Sequence, residues 1–177
     1  TLQPLLLAIA LVTLAWFGHG AASDGASGWL HLGSTALHLL AAGLWLGAIA
    51  GFLVIATGKA DASRPWLADA LQRFHLTGSI VVATLLATGI LNALVMLGWS
   101  GLTDAAGTAW GQLLALTLFA FAAMICLAAL NRFRLAPALA AGRRPQPLTA
   151  SLRLELLFAT AILFLVGWLG LLSPTGD

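Results

Sequence analysis

Three side chains in an otherwise apolar stretch have the types and spacing to do chemistry. The stretch "HLGSTALHLLAAGLWLGAIAG" (31–51) places His31, His38 and Trp45 seven residues apart. Seven residues make almost two helical turns, so the three share one face. His38 then lies about 10.5 Å deeper along the axis than His31. A polar side chain at that depth in an apolar span is costly and marks a functional position. The bland alternative is a neutral imidazole hydrogen-bonded to a neighbouring helix. Spacing also limits the chemistry. Imidazole nitrogen binds zinc at about 2.0–2.1 Å, and copper sites are similarly compact. Two histidines two turns apart on one helix do not close on one ion. A metal reading therefore requires two stations, one at the rim and one inside.

Other residues offer themselves as partners. His19 follows the preceding apolar run, and the glycine-rich segment "GHGAASDGASG" is long enough to bring it, with Asp24, to His31. Asn92 and Met96 stand one turn apart further along the chain. The thioether of Met96 is a soft ligand suited to Cu(I); its ordinary alternative is core filler. His75 belongs to the opposite end of its span and does not join this group. Met124 and Cys126 are two apart on a helix and face different directions. Glu155, the only glutamate, sits in "SLRLELLFAT" and requires a partner, for which Arg132 and Arg134 are the candidates.

The elements that must position these groups follow from composition. Hydrophobic residues make up 60% of the 177 positions and charged residues 8%, against about 25% in a soluble domain. Mean hydropathy is +0.99. Several apolar runs exceed the roughly 18 residues that mark a transmembrane helix. Long continuous runs exclude the short alternating strands of a membrane barrel. The fold class is all-α, a polytopic bundle of about five spans in one domain, over 2–18, 29–57, 75–99, 108–131 and 149–173. Ser63 and Pro65 could instead start a short helix lying in the headgroup region, with Trp66, Leu67, Ala70, Leu71 and Phe74 on one face; a plain loop there is the alternative. Gly43, Gly47 and Gly51, at four-residue spacing, would let another helix approach closely.

Charge sets the expected orientation. All eight basic residues fall in or beside the second and fourth connections, including Lys59, Arg64, Arg73, Arg143, Arg144 and Arg153. The positive-inside rule places these loops in the cytoplasm. The N-terminus is then cytoplasmic, and the histidine end and Asp177 face the periplasm of a bacterial inner membrane. The sequence pI near 9.5 reflects scarce acids, and no nucleic-acid partner is expected. One cysteine permits no disulfide within the chain. There is no phosphate-cradling loop, nucleophile elbow, HExxH or CxxC, so the chain is read as not an enzyme.

At this level the residues resemble the copper resistance protein D family. The carrying blocks are "AWFGHGA" (15–21), "LHLLAAGLWLGAI" (37–49), "RFH...TGILNA" (73–93), "AWGQLLALTLFAFAAMICLAALNRFRLAP" (109–137) and "LRLELLFATAILFLVGWLGLLSP" (152–174), in that order. The resemblance implies copper moved from periplasm to cytoplasm, with a small periplasmic copper-binding protein as donor. By position it carries over His19 and His38, whereas His31 rests on the stripe. The metal ligands expected are His19, His31, His38 and Met96. Members carry further helices before the matching segment, so missing N-terminal helices are expected, with a homo-oligomer as another possibility. The chain departs from the family at Thr35 (often Asp), Thr117 (often Lys), His75 (often Ser) and Trp110 (usually Tyr). The competing function is a haem b-binding redox protein. It lacks an opposing deep histidine within the chain.

Overall fold

The computed structural model describes residues 2–16, 25–58 and 63–173. Within them the chain is all-α. Helix α1 is Gln3–Thr13, continued by a 3-10 turn Leu14–Trp16. Then come α2 (Gly25–Thr57), α3 (Ser63–Ala105) and α4 (Ala109–Leu130). A π-helical turn, Asn131–Leu135, leads into α5 (Ala136–Ala140), and α6 is Gln146–Leu169. Only helices satisfy all backbone groups within a lipid-embedded segment.

Four helical stretches are long and apolar enough to cross a membrane: Ser27–Thr57, Trp66–Gly101, Ala109–Ala140 and Gln146–Leu169. The first apolar run gives a shorter helix, Gln3–Trp16, and residues 17–24 beyond it lie outside the described residues. At 1.5 Å per residue, the uninterrupted part of α3 before Gly98 is about 52 Å long, well beyond the roughly 30 Å hydrocarbon thickness of a bilayer. The turns from Ser63 onward are continuous with α3 rather than a separate surface helix or a loop. Leu67, Ala68 and Leu71 are buried there, whereas Trp66 is exposed. No helix breaker separates Trp66 from Gly98, and Pro65 is tolerated in a first turn. At Gly98 the backbone takes φ 65°, ψ −179°, which interrupts α3. That conformation is essentially reserved for glycine.

The inward face of each long helix repeats at three- and four-residue steps. On α2 the buried positions are His31, Ser34, Ala41, Trp45 and Ile49. On α3 they include Leu71, Val81, Leu85 and Thr88, and on α6 Leu148, Ser151, Leu152, Glu155 and Ala159. The histidine stripe is therefore part of the protein-facing seam of α2. Large apolar side chains such as Val54, Leu76, Ile90, Phe119 and Phe164 stand exposed. Such a surface suits acyl chains rather than water.

The chain divides into two compact units. One comprises Thr1–Leu44, Val81–Leu113 and Leu169–Asp177, the other Trp45–Ile80 and Leu114–Trp168. In the first, α1 docks on α2 at Gly43, where an added Cβ would lie 2.6 Å from Cδ1 of Leu11. Gly47 and Gly51 meet nothing within 4 Å, so one glycine of the three serves close approach. In the second unit, Trp45 packs edge-on against Phe121 at 5.8 Å between centroids, and Phe52 against Phe74 at 5.3 Å.

These contacts predict unequal effects at equally spaced glycines. Gly43→Leu overpacks the α1 contact and should cost about 1–3 kcal/mol. Gly47→Leu has open space and should leave stability unchanged. Thermal unfolding of both variants in mild detergent, followed by circular dichroism, checks this.

Candidate functional site

The first unit holds the polar groups of α2 and α3 that face each other. Packing of α2 on α3 sets His38 opposite Thr88. Nδ1 of His38 lies 2.8 Å from the Thr88 hydroxyl. That hydroxyl donates to the Thr84 carbonyl one turn back, at 2.6 Å, in the usual threonine manner. A hydroxyl has one proton, and here it is spent on the backbone. Thr88 can therefore only accept from the imidazole, which makes Nδ1 of His38 the donor. In that tautomer a neutral imidazole carries no proton on Nε2. Metal-binding histidines are held in this way, one nitrogen donating to a fixed acceptor and the other ligating.

The surroundings hold the pair in place. Ser34, one turn before His38, donates to the Thr88 carbonyl at 3.4 Å. The next residue, Gly89, would bring a Cβ to 3.7 Å from Cε1 of His38, so the backbone of α3 passes close to the ring. His38 is half-buried and His31 buried. Nδ1 of His31 and Oδ1 of Asn92 are both buried without a hydrogen-bond partner. Met96 is half-buried on α3, two residues before the interruption at Gly98. His19 and Asp24 lie outside the described residues. Among the described residues no three of His, Cys, Asp or Glu converge as a metal cluster. Any ion held here would draw on the histidines singly, with neutral oxygen or thioether donors completing its shell.

The remaining candidates sit apart. His75 is half-buried, with Nε2 unpartnered, in the second unit. Met124 is buried and Cys126 exposed, on different sides of α4 as their spacing requires. Glu155 is buried, but its partner is not an arginine. It accepts from Nδ2 of Asn131. The reason is register: Asn131 occupies the inward position where the π-helical turn begins, and Arg132 is swung toward α3, donating to Ser79 at 2.6 Å. Arg134 is exposed.

With this geometry the chain was compared with known proteins. The family model for copper resistance protein D matches residues 68–169. The chain belongs to the copper resistance protein D family. It is 36% identical to copper resistance protein D of Pseudomonas syringae pv. tomato, over 96% of this chain and 58% of that protein. It is 32% identical to inner membrane protein YebZ of Escherichia coli K12, over 75% of this chain and 45% of that protein. The chain thus spans about half the length of the curated relatives it matches. No solved structure matches it. The matched segment covers Thr88, Asn131 and Glu155 but begins after the histidine stripe.

Sequence reasoning passed over Thr88 and Ser34. Both are small hydroxyl residues at inward positions of apolar helices, and nothing in the sequence pairs Thr88 with His38 until α2 is laid against α3. The hydrogen-bond assignment has a direct consequence. Thr88→Val keeps the shape but removes the acceptor, freeing the imidazole to rotate and change tautomer. Loss of such a support typically weakens metal binding about 10- to 100-fold. If His38 ligates copper, Thr88→Ser should retain near-normal affinity. Competition titration with a chromophoric copper chelator, on protein of equal helix content, distinguishes the two.

Proposed function

We propose that this chain is an inner-membrane copper-handling protein without enzymatic activity. In this reading it passes copper from the periplasm toward the cytoplasm through a histidine site open to the periplasm. The observation that carries it is the presentation of His38. Its Nδ1 is held against the Thr88 hydroxyl inside an apolar helix, in a chain whose relatives are named for copper resistance and for the inner membrane.

Copper is the cargo. His31, near the end of α2, captures it together with His19, from a periplasmic copper-binding donor. His38 takes it next, two turns deeper, with Met96 or Asn92 assisting from α3. Neutral imidazole suits such a path because it adds no negative charge to a low-dielectric interior. A protonated imidazole cannot ligate, so acidification weakens loading at both stations. The apolar first helix serves as a fifth span, and the arginine-rich connections face the cytoplasm.

Two experiments test this. His31→Ala should weaken capture, most visibly at low copper, whereas His38→Ala should leave rim binding largely intact but stop passage. Isothermal titration and cellular copper content separate these effects. Wild-type transport by His38→Ala would overturn the relay, and a Soret band in the purified protein would favour haem instead. For orientation, cysteines at Ser27 and Asp104 should label from the periplasm and one at Ala141 should not. Periplasmic labelling at Ala141 would reverse the side assigned to the histidines.

A further inference from the structure

The second unit contains a buried polar pair that copper handling does not use. Glu155 is 3% exposed, Asn131 7% and Ser151 4%. Nδ2 of Asn131 donates to Oε1 of Glu155. Oδ1 of Asn131 and the hydroxyl of Ser151, one turn below Glu155 on α6, are buried with no hydrogen-bond partner. The cations nearby are engaged elsewhere or exposed. Arg132 donates to Ser79, whose own hydroxyl donates to the His75 carbonyl on α3. Arg153 and Arg134 are exposed. Among the described residues an ion pair joins Arg73 to Asp69, at the exposed surface. In the same unit, α3 carries the titratable His75, whose Nε2 is unpartnered. Among the described residues, Glu155 is thus a carboxyl in the interior of a membrane helix with an amide, and no cation, as its partner.

The unpartnered amide oxygen points to what the pair binds. With one Nδ2–H donated to Oε1, an ionised carboxylate offers Oδ1 of Asn131 no donor in return. A single proton on Oε2 supplies that donor. Oε2–H then donates to Oδ1 while Nδ2–H donates to Oε1. An acid and an amide so arranged form a closed ring of two hydrogen bonds, which satisfies the orphaned oxygen of Asn131. A soft metal ion finds no sulfur or imidazole ligand in this trio. An arginine partner would hold the carboxylate permanently ionised. An asparagine serves either state, since it donates to the ionised form and both donates to and accepts from the neutral one.

We propose that Glu155 and Asn131 form a proton-binding site within the membrane helices, loaded by transfer of a proton from solvent water to Oε2 of Glu155 and emptied by its return. The π-helical turn is the structural device that makes it. It sets Asn131 against α6 and directs the next residue, Arg132, toward α3. Turns of this kind recur at functional sites. Ser151 supplies a second hydroxyl close to the carboxyl, on the same face of α6.

Infrared difference spectroscopy across a pH titration tests the site without copper, so its failure is separable from failure of the copper reading. Wild-type protein in lipid nanodiscs should show a carboxylic C=O band that appears and disappears with pH and is absent from Glu155→Gln. Glutamine can make the same two hydrogen bonds with Asn131, so this variant should fold and unfold at a temperature no lower than wild type. Asn131→Leu should shift the band, because its hydrogen-bond partner is gone. Superimposable spectra of wild type and Glu155→Gln would overturn the proposal. So would an unfolded Glu155→Gln protein, or a band indifferent to Asn131→Leu.

Discussion

In a lipid-embedded helix, polar atoms must find their partners within the protein, because the surroundings supply none. Backbone groups meet this constraint by helix formation. Side chains meet it only at the helix–helix seams, and there each donor must be matched to an acceptor one by one. The seam of α2 carries His31, Ser34 and His38, and α3 answers with Thr88. The seam of α6 carries Ser151 and Glu155, and the π-helical turn answers with Asn131. Where matching is complete, as at His38 and Thr88, one nitrogen is fixed and the other is left to act. Where it is incomplete, the unpaired atom marks what the site takes up.

The apolar runs were legible as helices because length and hydropathy decide that question without tertiary information. The histidine stripe was legible for the same reason, since periodicity along one helix needs only helical geometry. The burial of His31 and Trp45 on the seam agrees with it. The partners were less legible. Thr88 has no distinctive chemistry until α3 is laid against α2. Its role then comes from a proton count rather than from its residue type.

The error over Glu155 has a physical origin. Two arginines stood within reach along the neighbouring helix, and opposite charges are the natural expectation. Regular α-helical spacing gives no reason to prefer Asn131 over Arg132. The π-helical turn, one residue wider than an α-turn, changes which side chain meets α6. A similar local departure occurs at Gly98, where an extended glycine interrupts α3 two residues after Met96. Both lie beside candidate functional groups, and hydrophobic periodicity records neither.

The two polar pairs also differ in what their chemistry permits. At His38 the acceptor is a hydroxyl whose proton is already engaged, so the imidazole has one favoured tautomer. That suits an ion which must be held briefly and released, because a neutral ligand adds no charge to overcome on departure. At Glu155 the partner is an amide with a donor and an acceptor side by side, so neither protonation state is locked. A cation would have favoured one state strongly, and an apolar neighbour would have satisfied neither. The same constraint of self-satisfaction in lipid therefore yields a rigid presentation in one unit and a two-state pair in the other. The difference follows from whether the partner side chain has one role left to play or two.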